Sequence, residues 1–212
     1  MKAIIFDLDG TLYDNSRLPL WLILHSIPHI FTLQAERKAR KELSGQYFGS
    51  REEYFRQLFS RIAQKRGISA EKAERWYRGI YMPSMYKVLC KRYHYKEGVP
   101  EILQQLRQKG IKTVVFSDYG YLDKRLKAVG ISPEWFDLCV DAPSLGGLKP
   151  CRESFQKIAG MLQMEPAEIL VVGDRDDTDG QGARNSGMQF LPVDKKAAFF
   201  KDINEILSLK AI

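Results

Sequence analysis

Residues 2–11 read KAIIFDLDGT: a short apolar run that stops on two carboxylates, Asp7 and Asp9, with a glycine behind them. A brief continuous apolar run bounded by turn residues is the pattern of a strand buried on both faces. The chain therefore opens with a core strand whose carboxyl end delivers two acids. Four further runs have the same character: IKTVVF (111–116), LCV (138–140), EILVVG (168–173) and MQFLPV (188–193). Between and after them lie helix-length segments, VPEILQQLRQKG (99–110), GYLDKRLKAVG (120–130), CRESFQKIAGMLQM (151–164) and DINEILSL (202–209), the first two closed by glycine. This alternation predicts an α/β, Rossmann-like parallel sheet with helices on both faces, in which ligands bind where strands stop. Polar groups do collect there: Asp7 and Asp9, then Ser117 and Asp118, then Gly173 and Asp174.

The stretch between the first two strands is different. AERKARKEL (35–43), REEYFRQLFSRIAQKRG (51–67) and SAEKAERWYRGIYMPSMYKVLC (69–90) are helical and basic. Tyr54, Phe55, Leu58, Phe59 and Ile62 recur at three- and four-residue steps and build one apolar face. Ser69 is a candidate N-cap. Residues 15–95 are thus expected to form an all-helical cap, and residues 1–14 with 96–212 the α/β core. Charge divides the same way: from Asp14 to Glu97 there are seventeen Lys and Arg against eight Asp and Glu, net +9, while the rest of the chain is net −2.

At 212 residues, with 44% hydrophobic and 28% charged residues, the chain has what a compact core needs, and disorder, collagen and coiled-coil rods are excluded. Three cysteines without CxxC spacing suggest neither a disulfide framework nor a cysteine-rich metal site, and fit a reducing, cytoplasmic setting. The N-terminal apolar run is too short for an export signal. Residues 18–33, LPLWLILHSIPHIFTL, hold sixteen residues interrupted by His25, Ser26, Pro28 and His29, short of a membrane span. They are expected to be a buried helical hairpin or cap element, and no membrane partner is expected. His25 and His29 stand four apart, but Pro28 disrupts the helical geometry that a metal pair would need and no third ligand is evident.

A second acidic cluster, Asp174, Asp176, Asp177 and Asp179, follows another buried strand. If the strands bearing Asp7 and Asp174 are neighbours, their carboxylates converge and repel unless a cation neutralises them. Mg²⁺ is the economical choice, because it needs few carboxylates and keeps positions for substrate oxygens. Ser117, with the amides of Asp118 and Tyr119 at a strand-to-helix turn, offers an anion cradle. Lys149, held out of the following helix by Pro150, supplies an ammonium. Metal, carboxylate, hydroxyl and ammonium together describe a phosphoryl pocket.

With DLDGT at 7–11, VVFS at 114–117, LKP at 148–150 and VVGDRDDTDGQGA at 171–183, all in order, the chain resembles the haloacid dehalogenase-like hydrolase superfamily, of the type with a helical cap between the first two motifs. The resemblance implies a Mg²⁺-dependent phosphatase acting through an aspartyl-phosphate on Asp7. Asp9 would be the general acid and base, Thr11 would shape the turn behind it, and Thr11, Ser117, Asp118 and Lys149 would form the phosphate-binding set. Asp7, the Asp9 carbonyl, Asp174 and Asp179 would form the metal set. In the last motif Asp176 and Asp177 compete with Asp179 for the second acidic role. Arg175 departs from the small residue that many relatives carry, and is open to two roles, balancing neighbouring acids or touching substrate.

Because Asp9 is present, phosphoryl transfer is favoured over removal of halide from carbon. The implied partner is a small phosphorylated metabolite. A sugar phosphomutase and a non-catalytic binding protein of the same fold are the alternatives. The basic cap suits an anionic leaving group, no nucleic-acid-binding motif accompanies its charge, and monomer and homodimer are both compatible with it.

Overall fold

In the computed structural model, which describes residues 1–196, five parallel strands form one sheet: β1 (Ala3–Phe6), β2 (Lys112–Ser117), β3 (Leu138–Asp141), β4 (Ile169–Gly173) and β5 (Gln189–Pro192). Their order is β3-β2-β1-β4-β5. All five runs read from the sequence are strands, and the expected α/β fold is the observed one. Phe6 sits level with Val115 on one side and Val172 on the other, so the residues after β1, β2 and β4 leave the sheet together.

This order fixes where a ligand can go. The chain builds outward from β1 to β2 and β3, then crosses back to the other side of β1 for β4 and β5. Right-handed crossovers in opposite directions place their helices on opposite faces. The two sets part at the β1–β4 boundary, and the crevice outside the strand ends opens there. β1 and β4 are buried throughout and β2 everywhere but at Lys112, while β3 and β5 are partly open, as edge strands of such a sheet are.

The helices of the sheet layer are α6 (Val99–Gln108), α7 (Leu122–Ala128), the single turn α8 (Ala142–Leu145), α9 (Arg152–Leu162) and α10 (Gln181–Asn185). Pro150, expected to begin a helix, lies two residues ahead of α9 and is joined to Lys149 by a cis bond. The helix read at 202–209 lies outside the described residues.

Between β1 and α6 the chain is helical: α1 (Leu18–His25), α2 (Ile30–Leu43), α3 (Arg51–Arg66), α4 (Ala70–Trp76) and α5 (Met82–Arg92), with a π turn over Tyr77–Tyr81 joining the last two. Ser50 and Ser69 cap α3 and α4 by accepting from the amides of Glu53 and Lys72. Tyr54, Phe55, Phe59, Trp76, Tyr77 and Tyr81 are buried and pack ring on ring, including a Phe55–Phe59 stack at 5.5 Å between centroids. With Trp21, Phe48, Tyr93 and Tyr95 packed against the core, most of the aromatic side chains of this segment serve packing.

The expectation of a buried helical hairpin or cap element at 18–33 needs correcting in how much of it is buried. The two helices meet at 87° around Ser26–Ile27, and only one stripe of the apolar run faces inward, with Leu18, Leu22 and Leu33 buried. Leu20, Leu24, Ile27 and Phe31 are 47–67% exposed. A helix that is apolar all round buries only the side that meets its neighbours, and the described residues cover no more than that side. No single described helix is long and apolar enough to cross a membrane. His25 is bonded to the carbonyl of Trp21 in its own helix.

The insertion is tied to the sheet layer by main-chain bonds. Gly45 donates to Leu148 and Phe48 to Gly146, while the returning chain donates from Tyr95 to Val129 and from Lys96 to Leu12.

Among the glycines of the described residues, the closest approach of a neighbouring side chain is between α9 and α10. A Cβ on Gly182 would lie 2.1 Å from Cε2 of Phe155, whose ring meets Phe116 of β2 edge-on at 5.2 Å. Gly182→Ala must displace that ring, and a loss of about 1–3 kcal/mol is expected, read as a lowered urea midpoint with an unchanged slope.

Candidate active site

Asp7 follows β1, where its amide donates to the carbonyl of Val172 in β4. Its carboxylate is held from two directions. Lys149 Nζ lies 2.7 Å from Oδ1, and Thr11 Oγ1 donates to Oδ2 at 3.2 Å. Lys149 also reaches Asp179 Oδ1 at 2.8 Å, so one ammonium bridges two carboxylates. Lys149 and Asp179 are each 2% exposed. The lysine is itself placed by its backbone: its amide donates to Asp118 Oδ1 at 2.9 Å and its carbonyl accepts from Ser44 Oγ at 2.7 Å.

Two glycines make room. Gly10 has φ +102° and a Cβ there would sit 2.6 Å from a carboxylate oxygen of Asp174, while a Cβ on Gly173 would sit 2.5 Å from the Asp179 carboxyl group. Both acids therefore approach backbone more closely than any side-chain-bearing residue permits.

Among the competing acids of the last motif, the structure brings Asp179 to the site. Asp176 is exposed and forked by Arg184 at 2.8 and 2.9 Å, and Asp177 is exposed and paired with Arg175 at 2.6 Å. Arg175 thus balances a neighbouring acid, although it also lines the cavity.

Oxygens of Asp7, Asp174 and Asp179 lie within 4.8 Å of one another. Lys195 pairs with Asp174 Oδ2 at 2.9 Å, whereas Asp174 Oδ1 is buried with no donor among the described residues. Burial pushes Asp7 well above the usual carboxylate range; Lys149 opposes this, and Asp179, Asp9 and Asp174 add to it. Burial likewise raises Asp179 against the pull of Lys149.

Asp9 has a different environment. Its carboxylate accepts from the Arg125 guanidinium, the Tyr13 hydroxyl and Ser117 Oγ, the last at 3.1 Å. Burial would raise its pKa, but Arg125, helped by the hydrogen bonds from Tyr13 and Ser117, holds it below the ordinary value. Arg125 is 1% exposed and also donates to Ser117 Oγ at 2.8 Å and to the Tyr119 carbonyl at 3.1 Å.

The hydroxyls of two residues expected to bind phosphate are turned to carboxylates. Ser117 is fully buried with its hydroxyl directed to Asp9, and Thr11 is fully buried against Asp7; neither lines the cavity. The reason for the Ser117 placement is Arg125, which sequence reasoning missed. A signal was present: 122, 125, 126 and 129 fall on one face of α7, so an arginine occupies the buried stripe beside Leu122, Leu126 and Val129. Asp118 does line the cavity, and its carbonyl accepts from Arg40 of α2 at 3.0 Å.

The cavity above these groups has a volume of ≈ 330 Å³ and is lined by Asp7, Asp9, Lys149, Asp174 and Asp179 below and by residues of α1, α2 and α5 above. Buried acids, a bridging ammonium and an orphaned carboxylate oxygen make it a place for a cation and an oxyanion together.

Removing Arg125 leaves Asp9 buried without its counter-charge. Arg125→Met is expected to cost about 3–5 kcal/mol, and the Arg125→Met/Asp9→Asn pair to recover part of it, because the uncompensated charge is then gone. Thermal melts of the two variants measure both effects.

The chain is similar to known proteins over most of its length. Residues 1–187 match the family model described as haloacid dehalogenase-like hydrolase. The chain is 30% identical over 203 residues to a putative pyrophosphatase PpaX of Clostridium perfringens, covering 92% of this chain and 88% of that one. It is 26% identical over 200 residues to the pyrophosphatase PpaX of Bacillus mycoides, covering 91% and 83%. Among solved structures, a beta-phosphoglucomutase from Clostridium difficile superposes with a TM-score of 0.70 at 19% identity, over 98% of this chain and 96% of that one.

Proposed function

The chain belongs to the haloacid dehalogenase-like hydrolases and is a phosphatase-type enzyme, and from that premise we propose that it hydrolyses a small phosphomonoester through an aspartyl-phosphate on Asp7, with Mg²⁺ as its resident ion. The observation that carries this reading is the placement of Asp7 at the switch point of the sheet, bonded to Lys149 at 2.7 Å and beside a buried, donorless oxygen of Asp174.

That oxygen is also why Mg²⁺ fits. A buried carboxylate oxygen without a donor costs free energy, and three converging carboxylates suit a hard cation. Asp7, Asp174 and the backbone carbonyl of Asp9 would hold the ion, with Asp179 supporting the set through its bond to Lys149. When bound, Mg²⁺ supplies positive charge to the phosphoryl oxygens.

The residues divide the rest of the work. Asp7 attacks phosphorus, the bond from phosphorus to the ester oxygen breaks, and Asp9 gives its proton to that oxygen as it leaves. A water then attacks the aspartyl-phosphate, loses its proton to Asp9 and releases phosphate with the Asp7 carboxylate restored. Lys149 balances charge on Asp7 and the transferring group throughout, in a step whose loose transition state needs positioning and charge stabilisation above all. Asp9 is held charged by Arg125, so before it can donate, its carboxylate turns from Arg125 toward the cavity it lines and takes up a proton from solvent. Residues 15–95 act as the cap that covers this cavity and excludes water.

Asp7→Asn is expected to abolish phosphate release while melting no lower than the parent, since it removes one of several mutually repelling buried charges. Chelation by EDTA is expected to reduce the parent to background, with recovery on adding Mg²⁺. Phosphate release across a panel of phosphorylated metabolites measures both. Retained turnover in Asp7→Asn refutes the nucleophile, isomerised sugar phosphate with little free phosphate identifies a mutase instead, and saturable binding without turnover identifies a binding protein.

A further inference from the structure

Four cations line the cavity over Asp7: Arg37, Lys149, Arg175 and Lys195. Three are already matched by acids, Lys149 by Asp7 and Asp179, Arg175 by Asp177, and Lys195 by Asp174. Arg37 has no ion pair among the described residues; its polar contact is a 3.5 Å approach to the carbonyl of Pro19.

Its position is fixed by the helix that carries it. Arg40, three residues on and so on the same side of α2, donates to the Asp118 carbonyl at 3.0 Å and lies over the Tyr119 ring at 3.9 Å. Arg40 is also bonded at 2.9 Å to Glu36, which is fully buried. These contacts pin α2 against the end of β2. The preceding turn then holds Arg37 over the cavity, beside an apolar wall of Leu18, Leu22 and Met85.

A guanidinium facing a cavity without a carboxylate partner is a receptor for a planar or tetrahedral anion. The transferring phosphoryl group on Asp7 already has Lys149, which is bonded to that carboxylate, so Arg37 serves a different charge. We infer that the substrate is a phosphomonoester whose leaving group carries a second anion, a carboxylate or a phosphate, bound by Arg37 while Leu18, Leu22 and Met85 cover the carbon skeleton between the two charges. The inference rests on the phosphatase reading of the site. At ≈ 330 Å³ the cavity is at the small end of ligand pockets, which favours a leaving group of a few carbons.

The test compares esters that differ only in the second charge: 2-phosphoglycolate against 2-hydroxyethyl phosphate, and 3-phosphoglycerate against glycerol 3-phosphate. The parent is expected to show kcat/KM about 10- to 100-fold higher for the anionic member of at least one pair, the range of a charge-assisted hydrogen bond. Arg37→Met is expected to collapse that ratio toward one, chiefly by raising KM for the anionic ester, and Arg37→Lys to restore part of it. Turnover of both members alike by the parent, or a ratio unmoved by Arg37→Met, overturns this inference and leaves the phosphatase reading standing. Release of phosphate from no ester, by a folded parent with Mg²⁺, overturns the phosphatase reading and this inference with it.

Discussion

The structure is organised around the repulsion of acids gathered at the ends of β1 and β4. Asp7, Asp9, Asp174 and Asp179 occupy one small region, and unit charges about 4 Å apart repel by about 4 kcal/mol even at an effective dielectric constant of about 20. Two buried cations answer most of that field. Lys149 takes Asp7 and Asp179, and Arg125 takes Asp9, while Lys195 reaches in to Asp174. The two buried cations separate the acids into two chemical states. Asp7 is pushed up by burial and by three neighbouring acids against the pull of Lys149, whereas Asp9 is held charged by a partner of its own.

Lys149 also joins the site to the helical insertion. Its side chain spans Asp7 and Asp179, its amide is bonded to Asp118, and its carbonyl accepts from Ser44 between α2 and α3. The adjoining residues 146 and 148 accept main-chain bonds from Phe48 and Gly45. Arg40 makes a second attachment, from α2 to the end of β2. The floor and roof of the cavity are therefore set by the same few residues, and a displacement of α2 relative to the sheet would be felt at Lys149.

The apolar run at 18–33 shows how far pattern reading goes. Hydrophobicity marked it as a packing element, but it did not say that the chain would turn through 87° at Ser26–Ile27 and leave Leu20, Leu24, Ile27 and Phe31 outside. Which side of an all-round apolar helix is covered depends on the neighbours it meets, and those are brought in by distant parts of the chain. Arg125 makes the opposite point. Its place on the buried face of α7 could be read from the spacing of Leu122, Leu126 and Val129, yet its partner Asp9 is 116 residues away.

The sequence alone determined the five strands, the helical insertion between the first and second, and the identity of the acids at the strand ends. Those features are local: a short apolar run makes a buried strand, a three- and four-residue apolar step makes a helix face, and a carboxylate after a strand stays at its end. Only the tertiary structure decided that β4 lies beside β1, that Asp179 rather than Asp176 or Asp177 meets Lys149, that Ser117 turns to Asp9, and that Arg37 overlooks the cavity. Each of these is a choice among groups of similar chemistry, and it is settled by charge pairing and close packing between segments that sequence proximity does not connect.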